Sequence, residues 1–193
     1  MDFFTLFGQG VLFVHTVAFA IALSAVLRED LALVRAGRID LRRLVETTHT
    51  LTCALIALWA TGLALVVFDV GFDARAFVAS PKLAAKVFVV SALTANGLAL
   101  HTLAFPILRG RGVPDSFGLS VPVVLGAIST VSWLYASFIG VSRWIAPVMS
   151  FTSFIAFYGV LLVAGITVAL LFVRRRVERL LVAQRVTAGT ARR

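Results

Sequence analysis

Residues 45–68 read VETTHTLTCALIALWATGLALVVF, and from Leu51 to Phe68 no residue carries a charge. At about 1.5 Å of rise per residue, a helix over 44–69 spans the roughly 30 Å of a bilayer's hydrocarbon core. Four further runs have the same length and character: 3–27, 82–108, 120–140 and 147–173. The stretch predicts an all-α fold, a bundle of five transmembrane helices. It also poses a question, because its first turns hold Glu46 and His49, which a segment facing lipid has no reason to carry.

Composition agrees with the class. The chain has 193 residues, of which 60% are hydrophobic and only 14% charged, and its mean hydropathy is +1.00. A water-soluble domain of this size could not cover so much apolar surface. The net charge of +9 does not point to nucleic acid, since the basic residues sit between and after the apolar runs instead of forming a stripe. Cys53 is the single cysteine and lies inside an apolar run. The first run lacks a basic leader and an A-x-A site before a hydrophilic domain, so it is expected to stay as the first helix.

Helix punctuation falls at the edges of these runs. Gly37 is placed to stop a first helix that continues through DLALVRA, and Asp40 to cap the second. Ser80 and Pro81 open the third, which Pro106 and Gly110 close. Ser120 and Pro122 open the fourth, Gly140 closes it, and Pro147 opens the fifth. Short connections make neighbouring helices antiparallel. Fourteen of the 18 Lys and Arg residues fall in the first connection, the third connection and the C-terminal tail, and four on the other side. The positive-inside rule then predicts the N-terminus outside and the C-terminus in the cytoplasm. Residues 1–176 make the bundle and 177–193 a basic cytoplasmic tail, an ordinary positive-inside stop. The mixed segment GFDARAFVAS is expected along the outer surface.

The chain's three histidines, His15, His49 and His101, all sit inside apolar runs. Measured from Arg43 and Arg109, His49 and His101 lie about 9 and 12 Å from the cytoplasmic edge, and His15 about 20 Å from it. Small or polar residues share their faces: Thr52, Cys53, Ala57 and Ala60 with His49, Thr94 and Gly97 with His101, Ala18 and Ala22 with His15. Such neighbours suggest inward orientation. Three readings follow. His49 and His101 are axial ligands of a b-type haem whose propionates pair with Arg42, Arg43 or Arg109. Alternatively Glu46 and His49, at i and i+3, bind a metal with His101, His15 and such carboxylates as Glu29 and Asp30. In the third, each imidazole bridges helices by a hydrogen bond.

Other polar positions have local explanations. Glu46 follows Arg42 by four residues, the spacing of a helix ion pair. Asn96 is read as a helix bridge, and Lys86 snorkels to the outer surface. Gly126, Ser129, Trp133, Ser137 and Gly140 mark a packing seam on the fourth helix, with Trp133 a candidate wall of a cofactor slot. No nucleophile elbow, phosphate loop, paired Cys-x-x-Cys or dinucleotide fingerprint is present. No filter repeat points to a channel, and no internal repeat to a transporter.

The runs TGLALVVF (61–68), PKLAAKVFVVSALTANGLALH (81–101) and AISTVSWLYASFIG (127–140) resemble a family of small polytopic bacterial membrane proteins. More loosely, histidine-bearing helices joined by the P-x-L-x-x-K entry at Pro81–Lys86 resemble bacterial membrane protoporphyrinogen oxidases and copper-resistance D proteins. The first helix, VLFVHTVAFAIALSAVL, lacks the tryptophan and arginine signature of the oxidases. The resemblance to the oxidases implies haem b and flux through porphyrin synthesis. With the histidine pattern, the leading expectation is a multi-pass b-haem protein of the bacterial inner membrane that passes electrons between a quinone and another membrane redox partner. A non-catalytic subunit packed in a larger complex, homo- or hetero-oligomeric, is the alternative.

Overall fold

A computed structural model describes residues 3–35, 40–71, 73, 75, 79–109, 118 and 120–180. Gly37, Gly110, half of GFDARAFVAS and the tail beyond Leu180 lie outside the described residues. Five helices are long and apolar enough to cross a membrane, and the described residues hold no strand. They are α1 (Phe3–Arg35), α2 (Leu41–Val70), α3 (Pro81–Leu108), α4 (Ser120–Val141) and α5 (Phe151–Leu180). Their outward side chains are apolar and bare: Phe13, Leu98, Val141 and Phe172 are 65 to 75% exposed, as a lipid-facing belt requires.

The helix ends follow local chemistry. Asp40 is extended, and its carboxylate accepts from the backbone N–H groups of Arg42 and Arg43 at 3.1 and 3.3 Å, opening α2. Ser80 is also extended, but its hydroxyl makes no capping bond, so Pro81 with its fixed φ marks the start of α3. Helix α5 starts at Phe151, later than Pro147 suggested. Pro147 sits in a 3-10 turn over Ala146–Val148, and Ser150 supplies the cap by accepting from the Ser153 N–H. Gly140 lies inside the last turn of α4, which ends one residue later.

Two helices carry a single π-helical turn, Leu100–Ala104 in α3 and Ala169–Val173 in α5. The first stands just before Pro106. In a regular α-helix that ring would press on the Thr102 carbonyl four residues back, and a wider turn relieves the clash. Pro106 therefore reshapes α3 within its last turns instead of closing it. Nothing in the local sequence of α5 demands its π-turn.

Helices α1 and α2 form a closely packed antiparallel hairpin, α3 packs on α4 and α5, and contacts between α1 and α4 join the two groups. The main core holds Ala18, Ala22, Leu58, Val89, Trp133, Tyr135, Phe154 and Tyr158. Single polar bonds pin the helix pairs within it. Tyr135 donates to the Phe154 carbonyl at 2.6 Å and Ser132 meets the Tyr158 hydroxyl at 2.6 Å, while outside the core Trp59 on α2 donates to Thr94 on α3 at 3.0 Å. Asn96 donates from Nδ2 to the Leu125 carbonyl at 3.1 Å, bridging α3 and α4, while its buried Oδ1 has no partner. Interhelical bonds of this kind contribute about 0.6 kcal/mol each in membrane bundles.

The threonines of VETTHTLT are satisfied without water. Thr48, Thr50 and Thr52 each donate to the carbonyl four residues back, and Thr47 donates to Glu29. Back-bonded hydroxyls leave no unpaired donor facing lipid.

Candidate functional site

At the end of the bundle where α1 passes into α2, the helices stand apart around a cavity of about 610 Å³. All five contribute walls, among them Leu33 from α1, Leu51 from α2, Phe105 and Leu108 from α3, Val123 and Ala127 from α4, and Ala169 and Val173 from α5. Residues of both π-turns border it. A π-turn shifts the facing of later residues and is frequent at functional sites. On the far side the aromatic core closes the bundle: Phe154 is fully buried, and Tyr135, Tyr158 and Trp133 nearly so.

The charged lining residues are Glu29, Asp30, Asp40 and Arg43. Three of the chain's nine acids thus converge on one apolar chamber. Because α1 continues past its apolar run, Glu29 and Asp30 are helical and face the hairpin partner and α4. Arg43 donates from Nε to Glu29 at 2.9 Å, and Thr47 donates to the same carboxylate at 2.9 Å. Asp30 accepts from the Thr130 hydroxyl on α4 at 2.7 Å, and no cation pairs with it among the described residues. The Thr130 hydroxyl also lies 3.1 Å from the Gly126 carbonyl.

The histidines take three different positions. His15 is half-buried, with Nδ1 2.8 Å from the Thr61 hydroxyl on α2. Thr61 lies 2.6 Å from the Ala57 carbonyl and spends its one proton there, so His15 donates from Nδ1. Gly62 lies beside the ring, and a Cβ there would meet Cε1 at an ordinary contact distance of 3.5 Å. His49 is exposed, with Nδ1 3.9 Å from the Cys53 sulfur one turn on. His101, also exposed, sets its ring edge-to-face with Phe105 at 5.2 Å.

The inward orientation expected of His49 and His101 is not what the structure has. The inner stripe of α2 runs through Leu44, Thr47, Leu51, Ala54 and Leu58, and His49 stands off it. Neither His49 nor His101 lines the cavity. Of the expected cofactor arginines, Arg42 pairs with Glu46 at 3.3 Å on the surface, Arg43 turns inward to Glu29, and Arg109 is exposed. Among the described residues no three His, Cys, Asp or Glu side chains come close enough to hold a metal ion. Trp133 packs at a tilt against Phe19 in the core, ring centroids 5.7 Å apart, whereas Gly126 and Ser129 of the same seam line the cavity.

Comparison with family models, curated proteins and solved structures returned no match. The chamber's carboxylates carried a weak signal in the sequence. Glu29 and Asp30 are charged residues at the end of an apolar run, which is where a connection normally begins.

Proposed function

We propose that the protein is a multi-pass binding protein of the bacterial inner membrane that takes an amphipathic small molecule into the five-helix cavity. Asp30 carries this reading. A carboxylate at the edge of the hydrocarbon region is costly, and this one faces an apolar chamber with a single hydroxyl as partner. The volume of about 610 Å³ lies within the range of small-molecule sites. Under the arginine bias the chamber opens on the cytoplasmic side.

Decanol is a neutral probe for the chamber, read by native mass spectrometry of detergent-purified protein. A Cβ on Gly126 meets nothing within 4 Å, so Gly126→Phe projects its ring into open cavity. The variant should fold and lose decanol binding. Equal uptake by parent and variant would sink the chamber as the binding site.

One observation favours a second reading. Exposed imidazoles at membrane depth are costly, and His49, with only the Cys53 sulfur at 3.9 Å beside it, and His101 are both exposed. A b-type haem held between two copies, or against another membrane subunit, would cover them and pass electrons to a quinone. Protein purified from haem-replete cells should then show a Soret band that His49→Ala and His101→Ala each remove. A colourless parent ends that reading.

A further inference from the structure

We infer that the chamber's ligand is an amphipathic organic monocation, an alkyl or aryl body ending in a protonated amine; this rests on the binding reading above. The charges on the chamber's wall do not cancel. Glu29 is matched by Arg43 at 2.9 Å and further held by Thr47. Asp40 stands at the start of α2, where its carboxylate accepts two backbone N–H groups and meets the positive end of the helix dipole. Asp30 is left over. It takes the Thr130 hydroxyl on Oδ2 at 2.7 Å, and an ionised carboxylate has about four acceptor positions. Its other oxygen is the place for an N–H donor that brings its own positive charge. An anionic head would be repelled there, and an alcohol would satisfy the hydrogen bond but not the charge. Leu33, Leu51, Val123 and Val173 offer the apolar body a carbon surface.

Three decyl probes of equal length separate the possibilities: decylamine, decanol and decanoate, titrated against parent and Asp30→Asn protein. The amide keeps the side chain's shape and can still accept from Thr130, so the fold should persist, and the ratio of decylamine to decanol affinity within each protein is what is compared. The parent should prefer decylamine to decanol by about tenfold or more, the worth of a hydrogen bond to a charged group, and decanoate should bind weakest. Asp30→Asn should erase the preference for decylamine. If the parent binds amine and alcohol equally, or Asp30→Asn keeps the preference, the cation assignment falls while the chamber stands. If the parent takes up none of the three, the chamber itself falls. Titrating decylamine in phosphatidylglycerol nanodiscs, with and without phosphatidylethanolamine, identifies the source. Competition by phosphatidylethanolamine assigns the amine to a lipid headgroup, and its absence assigns it to a free amphiphile.

Discussion

Asp30 and Thr130 are a hundred residues apart in the chain and meet at 2.7 Å, joining the α1–α2 hairpin to the three-helix group. The bond lies on the wall of the chamber, so it sets the spacing of two walls as well as holding them together. Removing the hydroxyl leaves Asp30 with solvent alone.

Thr130→Val should therefore lower stability by about 1 kcal/mol, within the 1–3 kcal/mol range for stripping a partner from a polar group. Asp30→Asn should cost less than Thr130→Val, because the amide oxygen still accepts and no charge remains at membrane depth. Thermal unfolding in detergent orders the three proteins. A Thr130→Val protein as stable as the parent would show that this bond does not hold the two helix groups.

Gly165 sits where α5 passes closest to α4, and a Cβ there would overlap the Val131 side chain. A β-branched valine in a helix has one favoured rotamer and cannot swing aside. Gly165→Ala should cost about 1–3 kcal/mol by overpacking. The double variant Gly165→Ala/Val131→Ala should recover most of that loss. If Gly165→Ala melts with the parent, or Val131→Ala gives no rescue, the two positions are not in this contact.

The spans were legible because lipid permits little else: uninterrupted apolar runs must be helices, and the cap at Asp40 follows from its place before one. The start of α5 was misjudged because Pro147 and Ser150 are competing signals three residues apart, and the serine's bond to the Ser153 N–H prevails. The chamber was not legible. Gly37 places Glu29 and Asp30 on a first helix that runs past the membrane, and α1 does continue to Arg35, but nothing in the chain says which wall they stand on. That is set by hairpin register, which puts Glu29 against Arg43. Contact between α1 and α4, which brings Thr130 to Asp30, joins helices that are not neighbours in the chain. The histidines drew attention through rarity, but rarity does not fix the face of a helix.

His15 and Thr61 give the clearest test of a helix-bridging histidine. Their 2.8 Å bond fastens α1 to α2 inside the bundle. His15→Ala and Thr61→Ala should each destabilise, and their double-mutant cycle should yield a coupling of about 0.6–1.7 kcal/mol, the range seen between membrane helices. Additive losses with no coupling would mean that the two side chains act separately.

Orientation is the prediction on which the side of the chamber depends. Fourteen of the 18 basic residues lie on one side, seven in the first and third connections and seven in the C-terminal tail, and the charge bias acts close to the ends of the spans. Reporter fusions after Gly110 and after Arg185 should read as cytoplasmic, and one after Ala76 as external. The chamber borders Asp40, Arg43 and Val177, at the same end of the bundle as the first connection and the end of α5. An external signal at Arg185 would therefore turn the chamber to the opposite side, and its ligand would have to arrive from outside the cell.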